Sequence, residues 1–332
     1  MSSQLERIPQ QPPQILPLQK TDHRPLFSVM VPVYNCYQYI EQNLRSILQQ
    51  DMGSDKMQIE VVDDGSTDGD VQALVQQIGN GRITYYRQPQ NVGSLRNFET
   101  CINRAQGHLV HLFHGDDIVK NGFYAEIEQL YTEFPEIGAA FTGYHYINEK
   151  SEKIWNNTLI DAPRGIIDNF VIHIGKNQLL QTVSLVVKRS TYEKLGCFYG
   201  VTYGEDWEMW VRIAANFPVA HSPKVLTEYR VHNSNLTSVN HHSGRNIREI
   251  VQVINTFKQY LPPAQAETIA KIAKKNAAEQ FARMAHTVWH HSYSVKGALA
   301  QTNGALSLHV GKNTLLSALK MYIKILISYK KK

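Results

Sequence analysis

The chain has 332 residues, 42% of them hydrophobic and 19% charged, with a formal net charge of +5. That length suits one large α/β unit with a smaller appended region, and the composition is that of a soluble globular protein. The mild positive excess suits anionic substrates or lipid headgroups, but without a clustered basic patch it is no nucleic-acid footprint. The three cysteines, Cys36, Cys101 and Cys197, are far apart and odd in number. They make neither a disulfide framework nor a zinc pattern, which favours a reducing compartment. No secretory leader and no membrane-length apolar run is read, so the expected location is cytoplasmic.

Residues 1–25 carry Pro9, Pro12, Pro13, Pro17 and Pro25 among glutamines and read as a flexible arm. Residues 27–33 read as a buried strand with Pro32 near its end, where a missing donor is tolerable. Tyr37, Ile40, Leu44, Ile47 and Leu48 then repeat at helical spacing. Strands are expected at 59–62 and 83–86, helices at 71–78 and 94–105, and a buried strand at 108–114. A helix at 123–134 and a strand at 137–142 follow. Beyond these the pattern loosens into strands at 182–187 and 225–231, with helices at 190–195 and 206–216. From about residue 240 it is helical, over 247–260, 264–291 and 315–329. Strands alternating with helices predict a mostly parallel, Rossmann-like sheet flanked by helices, with a helical C-terminal extension.

Carboxylates follow three of these segments: Asp63-Asp64, Asp116-Asp117 and Glu205-Asp206. In open α/β sheets the carboxyl ends of the strands are where ligands bind, so the first two pairs converge on one crevice. Adjacent aspartates at a strand end suit Mg2+ or Mn2+ shared with substrate phosphates, although on its own such a pair reads equally well as a solvated turn. There is no Gly-x-Gly-x-x-Gly after the first strand and no Gly-Lys-Ser/Thr loop. Phosphates must therefore be held by metal and basic side chains, which implies a nucleoside diphosphate bridged by a cation.

Val31-Pro-Val-Tyr-Asn35, Val61-Val-Asp-Asp-Gly-Ser-Thr-Asp68, Asn91-Val-Gly-Ser-Leu-Arg-Asn97, Gly115-Asp-Asp117 and Gly204-Glu-Asp-Trp207 with Arg212 occur in this order. Together they resemble the family 2 glycosyltransferases, inverting enzymes of the GT-A fold that use nucleotide sugars, over roughly residues 26–235. The resemblance implies a GT-A domain over 26–238, followed by a helical region over 239–332. It implies that Pro32, Val33 and Tyr34 line the base pocket, that Asp64 accepts from a uracil-type imide, and that Asp63 supports the turn or reaches the ribose. Arg96 would sit near the base or pyrophosphate. Asp116 would contact ribose or metal, and Asp117 would bind Mn2+ or Mg2+ directly. In Tyr229-Arg-Val-His232 a histidine or arginine would reach the diphosphate, with His232 a further metal ligand. Asp206 matches the general base, with Glu205 and Arg212 supporting it. Apart from the resemblance, Trp207 and Trp210 read equally as an acceptor platform and as core.

One departure stands out: many members carry an aspartate where this chain has His114, so the metal site is either one carboxylate short or supplemented by imidazole. His286 and His290, one helical turn apart, read as an ordinary helix face. Asp68 is expected to cap the following helix, and Arg212 to be a structural ion-pair partner. The expected reaction transfers a sugar from a nucleotide-sugar donor, UDP-sugar foremost, to a saccharide or lipid-linked acceptor in cell-envelope polysaccharide synthesis. A catalytically impaired nucleotide-sugar-binding protein, a nucleotidyltransferase and a glycoside hydrolase are the rival readings. Last, residues 314–332 place Leu315, Leu316, Leu319, Tyr322, Ile323, Leu326 and Ile327 on one face of a helix, with lysines beside them. That pattern suits either a peripheral contact with an anionic membrane at the inner face of the plasma membrane or a helix packed on the body of the protein or in a dimer.

Overall fold

The computed structural model describes residues 6–19, 23–156, 162–232 and 244–328. The expected boundary at 238/239, Lys330–Lys332 and the first five residues lie outside them. The chain divides into two compact units.

The first unit comprises residues 1–170, 179–200 and 216–231 and carries the sheet. Its strands are β1 (Phe27–Val33), β2 (Met57–Asp63), β3 (Thr84–Arg87), β4 (Leu109–Leu112), β5 (Ile118–Val119), β6 (Ala139–Ile147), β7 (Lys153–Asn156), β8 (Gly165–Ile166), β9 (Leu185–Lys188) and β10 (Val219–Arg230). The order is β3-β2-β1-β4-β9-β6-β10-β5, with β7 beside β6 and β8 beside β10. The first four strands are parallel; β9 runs antiparallel to both β4 and β6, and β10 is parallel to β6. Helices α1 (Tyr37–Leu48), α2 (Val71–Gly79), α3 (Ser94–Arg104) and α4 (Phe123–Glu133) connect the leading strands. β1 is buried at every position, Ser28 included, so its nearly continuous apolar run reports a strand covered on both faces rather than an alternating one. Its Phe27, Val29, Val31 and Val33 pack with Ile40, Leu44 and Ile47 of α1 in the main core.

β10 begins six residues earlier than expected. Pro223 sits inside it, and the register with β6 slips between Ser222 and Thr227, so the proline is carried on a bulge where no ladder donor is required. The short strands β5, β7 and β8 were not expected, and they are too brief to leave a periodic signal.

The N-terminal arm, expected to be flexible, departs from that reading over residues 6–19. Pro9 and Pro13 accept backbone bonds from Gly200 and Cys197, each at 2.8 Å, Leu16 accepts from Arg189 at 3.0 Å, and Ile15 is 1% exposed. Proline-rich sequence lowers the entropy lost when a segment is laid extended on a surface, and its free carbonyls accept from the unit beneath.

The second unit comprises residues 171–178, 201–215 and 232–332. The helix α7 (Glu205–Asn216), which carries Asp206, thus groups with the C-terminal helices and not with the sheet. Between α4 and α7 the chain forms α5 (Phe170–Lys176) and α6 (Arg189–Leu195); the C-terminal set is α8 (Arg245–Phe257), α9 (Ala266–Ser292), α10 (Val295–Leu308) and α11 (Lys312–Leu326). α10 was missed in the sequence because Gly297, Gly304 and several Ser, Thr and Asn residues dilute its helical pattern. A Cβ on Gly304 would lie 2.1 Å from Ile247, so the glycine is what lets α10 approach α8. Among the described residues no helix is long and apolar enough to cross a membrane.

Candidate functional site

In the first unit β1 and β2 run in register, pairing Val33 with Asp63, and both end at the same edge of the sheet. The Asp63 carboxylate is fully buried. It accepts from Ser66 N at 2.8 Å and Tyr85 Oη at 2.6 Å and pairs with the guanidinium of Arg87. Asp63 therefore holds the turn; its side chain is spent there. Asp64 is 2% exposed and accepts from Val92 N at 2.7 Å, Gly93 N at 2.9 Å and Asn91 Nδ2 at 3.0 Å. Burial pushes its carboxyl up, and the two backbone donors pull it back. Gly65 turns with φ +79°, and a Cβ there would press on Asn91 N at 3.3 Å, so glycine is required between the two loops.

Pro32 and Val33 are buried in β1, whereas the ring of Tyr34 is 53% exposed just past its end. Asp68 does not cap α2. It accepts from Tyr37 N at 2.8 Å at the start of α1, and Asp70 caps α2 by accepting from Ala73 N at 2.9 Å. The guanidinium of Arg96 donates to Glu6 O at 2.8 Å and to Glu99 at 2.6 Å.

The segment after β4 is fixed from three sides. Gly115 fits because a Cβ there would meet Cys36 Sγ at 2.9 Å. Asn43, wholly buried on α1, donates to the carbonyls of His114 at 2.7 Å and Asp117 at 3.0 Å. Asp117 Oδ1 accepts from Arg230 N at 2.9 Å. The Arg230 side chain, 1% exposed, donates to the carbonyls of Asp116 (2.7 Å) and Asn148 (3.0 Å) and to Gln42 (2.8 Å). It is therefore a buried clamp, and the expectation that an arginine of this segment reaches a diphosphate fails for Arg230.

Ligand atoms of His114, Asp116 and Asp117 lie within 4.8 Å of one another. Asp117 Oδ2 and His114 Nε2 are buried without a hydrogen-bond partner. Leaving such atoms unsatisfied costs about 1–3 kcal/mol each. Burial and the neighbouring Asp116 push Asp117 well above the usual carboxylate range, and burial pulls His114 down toward its neutral form. A neutral imidazole with two carboxylates is a donor set that fits Mn2+ or Mg2+. His114 stacks on Phe98 at 5.3 Å, which fixes the ring plane. His232 is buried and belongs to the second unit.

In that second unit Gly204, at φ +84°, leads into α7. Asp206 accepts from Trp207 N at 2.8 Å and from Gln178 Nε2 at 2.7 Å. Burial raises Asp206 to about 6; burial and the adjacent Asp206 raise Glu205 to about 8. A carboxylate so placed is ionised at neutral pH yet a stronger base than a solvated aspartate. Arg212 pairs with Glu208 at 2.9 Å inside the helix packing. Trp207 is corrected: its ring is 4% exposed, its indole donates to Ile174 O at 2.6 Å, and it packs on Phe257 at 5.1 Å, so it is core and offers no platform to a sugar.

Sequence reasoning missed Asn43 and Gln178, and took Asn91 as part of a motif without a role of its own. Asn43 carried a signal, being a polar residue on the apolar face set by Ile40, Leu44 and Ile47; Gln178 carried none.

The profile of Glycosyl transferase family 2 matches residues 28–189. An uncharacterized protein of Mycobacterium tuberculosis is 36% identical over 221 residues, covering 62% of this chain and 67% of the relative. TuaG of Bacillus subtilis, a glycosyltransferase assigned to teichuronic acid biosynthesis, is 26% identical, covering 66% of this chain and 84% of TuaG. Among solved structures, residues 1–349 of Staphylococcus aureus TarS with UDP-GlcNAc superimpose with a TM-score of 0.64 at 14% identity, covering 91% of each chain. A mannosyltransferase of Pyrobaculum calidifontis with GDP-Man and Mn2+ gives a TM-score of 0.57 at 21% identity, covering 93% of this chain and 89% of that one. The chain is a family 2 glycosyltransferase of the GT-A fold, resembling enzymes of cell-surface polysaccharide synthesis.

Proposed function

We propose that the protein transfers a sugar from a nucleotide donor, UDP-sugar foremost, to an acceptor hydroxyl with inversion, as a step in cell-envelope polysaccharide synthesis. The observation that carries this is the buried, unpartnered Asp117 Oδ2 grouped with His114 and Asp116 at the end of β4. The likeness to TuaG and the UDP-GlcNAc and GDP-Man bound to the two structural neighbours support the donor class.

In this reading Pro32, Val33, Tyr34 and Asp64 receive the base, with Asp63 and Arg96 as the support around it. Asp116, Asp117 and His114 would hold the cation. Bound Mn2+ or Mg2+ would supply charge neutralisation on the departing diphosphate. Asp206 takes the proton of the acceptor hydroxyl as its oxygen attacks the anomeric carbon; the C–O bond to the diphosphate breaks on the opposite side, which inverts the centre. Glu205, raised further than Asp206, is held protonated beside it and so leaves Asp206 as the base. Incubation with MnCl2 and a panel of UDP-, GDP- and dTDP-sugars, with detection of freed nucleoside diphosphate, tests this. Release from one class supports it; no release from any contradicts it.

The same reading includes a lipid surface. On α11 the residues turned inward are Thr314, Ala318 and Met321, and Lys324 donates to His286 and His290 of α9 at 3.2 and 2.9 Å. Leu315, Leu316, Leu319, Tyr322, Ile323, Leu326 and Ile327 are 38–84% exposed, so the helix turns its apolar stripe outward. Exposed Lys312 and Lys320 flank that stripe and complement anionic headgroups. We infer an anionic bilayer as its occupant.

A further inference from the structure

We propose that residues 6–16 form a fixed wall of the donor-base site, in which Arg7 is a positioning residue that sets how Asn91 presents its amide to Asp64. This rests on the donor reading above.

The segment is seated independently of Arg7. Ile15 is buried, and Pro9, Pro13 and Leu16 are bonded to Gly200, Cys197 and Arg189. Leu16 N reaches Asn103 Oδ1 at 3.3 Å near the end of α3, whereas Glu6 and Arg7 lie at its beginning, so the strap runs back along that helix. At that end it touches the two side chains flanking the loop that grips Asp64. Glu6 O accepts from Arg96 Nε at 2.8 Å. Arg7 donates to Asn91 O at 2.9 Å and to Asn91 Oδ1 at 2.6 Å.

The second of these bonds decides the orientation of an ambiguous group. An asparagine amide has a donor end and an acceptor end, and an arginine offers donors only. With Oδ1 turned to the guanidinium, Nδ2 must face Asp64, where it donates to the carboxylate Oδ2 and to the main-chain carbonyl, each at 3.0 Å. The reverse orientation would set Nδ2 against the guanidinium and Oδ1 against a carboxylate and a carbonyl oxygen, with three repulsive contacts in place of three bonds. Arg7 thus acts on the carboxylate through Asn91, and its charge favours the ionised Asp64 that an imide N–H requires.

The test is calorimetric titration of UDP with MnCl2 into the full chain, Arg7→Ala, Arg7→Lys, Asn91→Ala and the double variant Arg7→Ala/Asn91→Ala. Arg7→Ala is expected to weaken UDP about tenfold, the usual worth of a charge-assisted hydrogen bond. Lysine should restore only part of this, because it lacks the fork that reaches both oxygens. The double variant should bind no more weakly than Asn91→Ala alone, since Arg7 works through that residue. Melting temperature should hold, and in turnover the donor KM should rise with kcat unchanged. Unchanged UDP affinity in Arg7→Ala, or additive losses in the double variant, would overturn the role of Arg7 while leaving the donor reading intact. A parent protein that binds neither UDP nor GDP would overturn the donor reading and this inference with it.

Discussion

Arg230 donates its backbone N–H to Oδ1 of Asp117 at 2.9 Å, while Oδ2 of the same carboxylate stays buried with no hydrogen-bond partner. One oxygen is used to aim the group and the other is kept open. The guanidinium of Arg230 reinforces the aim by bonding the carbonyls of Asp116 and Asn148, and it lies 4.7 Å over the ring of Tyr39. The turn after β4 is therefore rigid before any ligand arrives, which is what a site needs if binding energy is not to be lost to ordering it.

Arg230→Met should test the clamp. It removes a buried cation together with its donors to three carbonyls and two side chains, leaving those acceptors bare. A loss of about 3 kcal/mol in urea unfolding is expected, with weakened UDP binding in any folded fraction. Parent-like stability would show that the guanidinium is dispensable.

Asp206→Asn should reduce turnover by about 10²- to 10⁴-fold, the usual worth of a general base, and leave UDP affinity unchanged. The amide keeps the shape and the bond from Trp207 N, holds Gln178 only if that amide turns its oxygen inward, and cannot take a proton. Near-normal kcat in a coupled assay would remove Asp206 from the base role.

The pH profile gives an independent check. Asp206 is raised to about 6 by burial, and it must be ionised to act, so kcat/KM should fall as pH drops through about 6. Gln178 donates to that carboxylate and so favours its charged form. Gln178→Ala should shift the acid limb to higher pH. A limb that stays in place, or moves the other way, would contradict the link.

Much of this was readable in the residues. The parallel strands β1, β2 and β4 announced themselves as apolar runs, and the carboxylate pairs that follow β2 and β4 marked the working edge of the sheet. What was not readable has physical reasons. In the residues Trp207 reads equally as a sugar platform and as core, because its burial is decided by Ile174 and Phe257, both distant in sequence. The strap was read as mobile because its proline content is typical of linkers; its docking depends on acceptors meeting Gly200 and Cys197, nearly two hundred residues away. Asp68 was expected to cap α2, but it is drawn to Tyr37 N at the start of α1, which leaves the cap to Asp70.

Trp207→Ala should accordingly act on stability, costing about 3–5 kcal/mol as for other large aromatic truncations in a core. Thermal and urea unfolding would read it. A variant with parent stability and a raised acceptor KM would restore the platform role.

The apolar stripe of α11 predicts sedimentation with vesicles containing anionic lipid, reduced for neutral vesicles and lost in a chain ending at Asn313. Leu319→Glu with Ile323→Glu should have the same effect as truncation without removing the helix. Full-length protein that stays in the supernatant at low salt, and elutes as a dimer, would assign the stripe to a second copy instead.

The most direct test of the account is titration of UDP into the parent and Asp117→Ala, each with and without MnCl2. The parent should bind UDP at least tenfold more tightly with Mn2+ than without it, and Asp117→Ala should show no Mn2+ dependence and the weaker affinity throughout. Equal Mn2+ enhancement in the two proteins would contradict the placement of the donor site at His114, Asp116 and Asp117.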